Sequence, residues 1–168
     1  MERTLIILKP DAMQRGITGE IISRFERVGL KIVAAKILQP SAEHYYYHYE
    51  TIGKMISRRG QEAFDVTIEY MKRGPVMAIV LEGIEAVEIV RKLVGTTEPK
   101  AAEPGTIRGD YSHISFEYAN SLKTSVPNLI HASGDVKEAK QEIMHWFKDD
   151  EIFEYPAVHD KFTLARHS

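Results

Sequence analysis

At 168 residues, with 43% hydrophobic and 27% charged side chains, the chain is long enough to bury a core and has the composition of a globular domain. A formal net charge of −2 supplies no global basic field for nucleic acid, so any anion site must be local. The absence of cysteine excludes disulfides, thiolate catalysis and cysteine-held zinc. No apolar run approaches the roughly 18–20 residues of a membrane span. The start, MERTLIILKPD, lacks the basic end and apolar stretch of a signal peptide, so a cytoplasmic protein is expected. One domain over 1–168 is the simplest organisation, with no internal repeat or low-complexity tract.

The β-branched run TLIILK (4–9) predicts a buried strand ended by Pro10. Thr18 stands where a helix N-cap belongs. Ile21, Ile22, Phe25 and Val28 follow at helical spacing, and Gly29 stops the run. LKIVAAKIL (30–38) predicts a second strand, barred from continuing by Pro40. A tyrosine-rich helix is expected from Ser41 and another over 61–73, closed by Gly74-Pro75. VMAIVLEG (76–83) predicts a third strand. Ile84, Val87, Val90 and Val94 mark the next helix, and the glycine and proline breaks of 96–110 predict a loop. PNLIHAS predicts a fourth strand. Asp135 with Glu138 three residues on predicts a capped last helix, with Val136, Ala139, Ile143 and Phe147 facing the core. This order is a split βαβ pattern. It predicts an α/β (α+β) ferredoxin-like sandwich, a four-stranded antiparallel sheet with helices on one face.

No P-loop or GxGxxG motif is present, so a phosphate site would have to come from scattered cations. Lys9 ends the first strand, Arg91 flanks the apolar stripe of its helix, and Arg108 lies in PGTIRGD, stiffened by Pro104, Gly105 and Gly109. His131 ends the fourth strand beside the small residues Ala132, Ser133 and Gly134, which open space for something to reach an imidazole. Two patterns carry less. RGD at 108–110 matches an adhesion tripeptide but sits in a chain expected inside the cell. His44 and His48 have metal-ligand spacing with no third ligand nearby, and fit a tyrosine-rich surface or interface helix better.

TLIILKPDAMQRGITGEII, PKAAEPGTIRGDY and NLIHASGD, in that order, resemble the nucleoside diphosphate kinase family from about Arg3 to Trp146-Phe147. The resemblance implies transfer of a γ-phosphate from a nucleoside triphosphate to a nucleoside diphosphate through a phosphohistidine. It implies His131 as nucleophile, Ser133 and Glu142 as residues orienting it, and Tyr49 beside it. Lys9 and Asn128 would contact the ribose hydroxyl region and phosphates; Arg91, Thr97 and Arg108 would bind phosphates. Mg2+ would be held through the nucleotide's own phosphates, with no protein metal ligands. The implied partners are nucleoside di- and triphosphates and further copies of the chain, as a homo-oligomer with a hexamer favoured over a tetramer; neither a membrane nor a nucleic acid is required. Two rivals are a catalytically idle nucleotide-binding relative on the same fold and a ferredoxin-like RNA-binding domain, the latter lacking an aromatic-rich strand and a basic balance.

The chain departs from the family pattern by insertions near 51–62 and 111–127 and by Gly134 where an aspartate often follows the serine. Phe64 is the candidate for stacking on the base. Residues 111–127 are expected to form an ordered excursion that packs on a neighbouring subunit or walls the nucleotide pocket, the first being favoured.

Overall fold

A computed structural model describes residues 1–164. Its four strands, β1 (Glu2–Leu8), β2 (Lys31–Leu38), β3 (Val76–Gly83) and β4 (Ile130–Ala132), form one antiparallel sheet in the order β2-β3-β1-β4. The helices are α1 (Pro10–Gln14), α2 (Thr18–Arg27), α3 (Ala42–Tyr46), α4 (Met55–Arg59), α5 (Gln61–Met71), α6 (Ala86–Val94), α7 (Ile107–Tyr111), α8 (Phe116–Ser121), α9 (Val136–Trp146) and α10 (Asp160–Thr163). A π-helical turn, Tyr47–Ile52, continues α3.

Helices cover both faces of the sheet, not one. Alternation along β1 sends Leu5 and Ile7 into a core shared with Tyr45, Phe64, Met71, Ile143 and Trp146. Ile6 and Leu8 join the opposite core with Phe25, Val90, Ile107 and Ile130. The signal was in the strand itself: five successive residues, Thr4–Leu8, are buried, as a strand covered on both faces requires.

Four local expectations change. Ile17, not Thr18, is the N-cap of α2, without a side-chain cap, because the left-handed turn at Gly16 delivers the chain straight into the helix. Residues 96–110 are not plain loop: a 3-10 turn (Pro99–Ala101) and most of α7 lie there, the helix capped by Thr106, which accepts from Gly109 N. β4 is shorter than expected because Leu129 takes a φ of 73°. Lys9 N–H to Leu129 O and Ser133 N–H to Leu5 O still extend the pairing on either side. Val28, Ile84 and Val136 are exposed, and the buried face of α9 is Ala139, Glu142, Ile143 and Trp146. That face carries a carboxylate into the interior.

Candidate active site

His131 sits on β4, an edge strand, opposite Ile7 of β1. Its ring opens on a cleft of about 680 Å³ at the end of the sheet. Lys9, Tyr49, Arg91, Thr97, Arg108, Asn128 and Glu142, distant in sequence, line the same cleft. Ser133 lies behind them, fully buried.

Glu142 Oε1 is 2.8 Å from His131 Nε2. Ser133 Oγ accepts the Leu5 N–H at 3.2 Å and donates to Glu142 Oε2 at 2.6 Å. The carboxylate is 1% exposed and both of its oxygens are engaged, which fixes its plane and the ring it holds. Burial pushes the Glu142 pKa up; His48 and the Ser133 hydroxyl oppose that. Burial, then the Lys9 charge, push the His131 pKa down, so the imidazole is neutral at neutral pH.

Lys9 follows β1 and donates from Nζ to Asn128 Oδ1 at 2.6 Å, while Asn128 Nδ2 donates to Thr97 O at 2.9 Å. Burial, reinforced by Arg108 and Arg59 and opposed by Asp11, lowers the Lys9 pKa to about 7. Arg108, 8% exposed, donates to the backbone carbonyls of Asn128 (3.1 Å), Gly95 (3.1 Å) and Ile130. Burial and Arg91 lower its pKa to about 10. With Arg108 buried, its RGD tripeptide is not displayed for adhesion. Among the described residues, no carboxylate pairs with Lys9, Arg58, Arg59, Arg91 or Arg108; the ion pairs of the chain lie elsewhere. A cleft of unpaired cations suits an anion.

The Tyr49 hydroxyl is buried with no partner among the described residues, and its ring centroid lies 6.5 Å from that of His131. Phe64 is a correction. It is 7% exposed, packed in the core and edge-on to Tyr46, and it does not line the cleft. The helical register of α5 turns Ala63, Val66 and Thr67 to the cleft instead.

Sequence reasoning did not assign His48, Arg58, Arg59 or Glu138 to the site, and all four are on the cleft wall. His48 is not on a surface helix face. It is 1% exposed, edge-on to His131 with centroids 4.6 Å apart, and accepts the Trp146 indole N–H at Nδ1 (3.1 Å). Burial holds its pKa well below the usual range, so its 3.6 Å approach to Glu142 is not an ion pair. Glu138 occupies the space left by Gly134, where a Cβ would stand 2.8 Å from Glu138 Oε2. Burial and Glu142 raise the Glu138 pKa. The 111–127 excursion is ordered by α8, and Phe116, Asn120 and Thr124–Val126 wall the cleft.

His48, His131 and Glu142 bring ligand-type atoms within 4.8 Å of one another. Each is already committed: His48 Nδ1 to Trp146, His131 Nε2 to Glu142, and Glu142 to His131 and Ser133. Magnesium prefers several oxygen ligands, and Glu138 is the one other carboxylate among the described cleft residues, so this donor set builds no magnesium cage.

The fold and cleft define a class: a ferredoxin-like α/β sandwich with a carboxylate-held imidazole beside a cluster of cations without carboxylate partners among the described residues. A family model described as nucleoside diphosphate kinase matches residues 2–152. The nucleoside diphosphate kinase of Borreliella burgdorferi is 47% identical over 157 residues, 92% of each chain. That of Pyrococcus abyssi is 47% identical over 96% of this chain and 93% of its own. A solved structure, a transition-state mimic of the Borrelia burgdorferi enzyme with vanadate and ADP, superposes with a TM-score of 0.94 at 44% identity, covering 97% of this chain and 96% of that one. The chain belongs to the nucleoside diphosphate kinase family.

Proposed function

We infer that this chain transfers the γ-phosphate of a nucleoside triphosphate to a nucleoside diphosphate in two half-reactions, with His131 as the nucleophile. The observation that carries the assignment is the 2.8 Å bond between His131 Nε2 and Glu142 Oε1. With Ser133 donating to the other oxygen, Oε1 accepts the Nε2–H and leaves the Nδ1 lone pair free. The depressed pKa of the ring keeps that lone pair unprotonated.

In the first half-reaction Nδ1 attacks the γ-phosphorus. The P–O bond to the β-phosphate breaks, and the diphosphate leaves with the electron pair. The charge gained by the phosphorylated ring is balanced by Glu142. The second half-reaction runs the same step backwards onto another diphosphate. Phosphoryl transfer depends on placement and charge neutralisation. Lys9, Arg91 and Arg108 provide the charge, while Asn128 and Thr97 fix the ammonium and the neighbouring backbone. The unpartnered Tyr49 hydroxyl is a ready donor beside the ring. Magnesium, brought in with the nucleotide, would supply further charge neutralisation at the phosphates beside Lys9, Arg91 and Arg108.

Release of the first product before the second substrate binds predicts parallel double-reciprocal plots of rate against ATP at several GDP concentrations. Intersecting lines would overturn the phosphohistidine route and favour direct transfer.

No described helix is long and apolar enough to cross a membrane. We propose a cytoplasmic homo-oligomer, a hexamer before a tetramer; exposed Ile37, Tyr46, Tyr47 and Met144 offer apolar surface for such contacts. Sedimentation of the pure chain as a monomer would remove that reading.

A further inference from the structure

We propose that Asp11 is a positioning residue for phosphotransfer: its carboxylate holds the strained turn Asn128–Leu129–Ile130 that delivers His131 to the cleft. The proposal rests on reading His131 as the nucleophile, and it gives a role to the acid that follows Lys9-Pro10.

Leu129 is fully buried and takes a φ of 73°, a left-handed value that a side chain other than glycine rarely adopts. Across it the Ile130 N–H donates to Asn128 O at 2.8 Å. A bond over two residues with such a central φ is the rarer, strained form of the γ-turn. Strain of this kind persists only where the surroundings over-determine the backbone. The carbonyls of the turn are well held: Arg108 donates to those of Asn128 and Ile130, and the Lys9 N–H to that of Leu129 at 2.8 Å. The Leu129 N–H is left over. Among the described residues its acceptor is Asp11 Oδ2, at 3.0 Å.

The chain puts Asp11 there for a local reason. Pro10 opens α1 directly after β1, so Asp11 falls in the first turn of a helix that starts beside β4. The two chain ends then meet twice, once through Lys9 Nζ on the Asn128 side chain at 2.6 Å and once through Asp11 on the next residue's backbone. Without the carboxylate a buried N–H is orphaned and the strain at Leu129 loses a restraint. Relaxation of that φ would turn the peptides on both sides, and His131 is two residues further on. Asp11 also carries a charge that opposes the fall in pKa of Lys9 and Arg108, so bond and charge must be separated.

Asp11→Ala is expected to lower kcat by about 10- to 100-fold, because small misplacements of a reacting group cost up to about that much. KM should change less, since Arg91, Thr97 and Arg108 stay in place. Asp11→Asn removes the charge and keeps an acceptor, so its kcat should remain close to wild type. Asp11→Glu keeps both charge and acceptor but moves the acceptor by one methylene, and should fold yet turn over slowly. Amide hydrogen exchange at Leu129, relative to the amides of β1, should be slow in wild type and Asp11→Asn and faster in Asp11→Ala and Asp11→Glu. Should Asp11→Ala fail to fold, Asp11→Asn and Asp11→Glu decide the matter. Wild-type kcat in Asp11→Ala or Asp11→Glu with fast exchange at Leu129 overturns the proposal. Slow turnover in Asp11→Asn with Leu129 still protected also overturns it, by making the charge the contribution. Phosphate uptake from labelled ATP by the wild-type chain separates the two readings: without it the assignment of His131 fails, and with it a failed variant series removes Asp11 alone.

Discussion

Glu142 Oε1 reaches His131 Nε2 at 2.8 Å from a helix face that is otherwise apolar. A buried carboxylate there is costly unless it is used, and every oxygen of it is bonded. Glu142→Ala is therefore expected to lower turnover by about 10- to 100-fold, since an orienting partner of a reactive imidazole carries about that much. It should also cost about 1–3 kcal/mol in urea unfolding, because Ser133 and His131 lose their acceptor. Glu142→Gln should be milder, as its carbonyl oxygen can still accept from Nε2–H. Unchanged turnover in Glu142→Ala would remove the carboxylate from the mechanism.

Arg108 is both a charge and a clasp. Its bonds to Gly95, Asn128 and Ile130 carbonyls hold three segments around the cleft. Arg108→Ala is expected to cut turnover by about 10²–10³-fold. It should also destabilise the fold by several kcal/mol, at about 1.5–3 for each bond from a charged donor. Arg108→Lys should recover little of either, since one ammonium cannot reproduce the fork. A variant as stable as wild type in urea would contradict the clasp.

The strand ends carried the site into view. Lys9 before Pro10 and His131 before three small residues mark places where side chains leave a sheet, and both line the cleft. What single positions could not convey was continuity and register. Helical spacing put His44 and His48 on one surface face, but the π-helical turn from Tyr47 rotates His48 inward against His131. The family resemblance implies a phenylalanine near position 64 at the base, whereas α5 turns Phe64 to the core and presents its smaller neighbours Ala63 and Thr67 to the cleft. Arg58 and Arg59 went unread because an insertion has no periodic core to fix its orientation. The two-sided burial of the sheet was legible in Leu5–Leu8, where polar alternation is missing.

Lys9 makes nucleotide binding a proton event. Burial and neighbouring cations hold its pKa in the free chain at about 7, well below the ordinary 10.5. Bound phosphates favour the charged ammonium and raise it again. At pH 8.5 ADP binding should therefore take up about one proton, seen as a dependence of the calorimetric heat on buffer ionisation enthalpy. Lys9→Gln should abolish the uptake. The sign for folding follows: between the two pKa values the unfolded chain holds the extra proton, so this group makes the free fold more stable as pH rises from 7 towards 10.5. Proton release on ADP binding at pH 8.5 would contradict the placement.

Phe116, Asn120 and Val126 place the 111–127 excursion on the cleft wall. Replacing 112–124 with a short Gly-Ser link is expected to raise nucleotide KM about tenfold or more, given base-stacking contributions of about 1–3 kcal/mol per aromatic. Sedimentation of the same variant separates the wall from a subunit contact. Unchanged KM with lost assembly would transfer the role to an interface.

The central claim is a phosphate carried on His131, and incubation with ATP labelled at the γ-phosphate tests it directly. The wild-type chain is expected to retain about one label per chain in an acid-labile, base-stable linkage. Added GDP should discharge it as labelled GTP, and His131→Ala should fold normally, bind ADP and take up none. Label retained by His131→Ala, or a wild-type chain that converts GDP to GTP without ever holding the label, would contradict it.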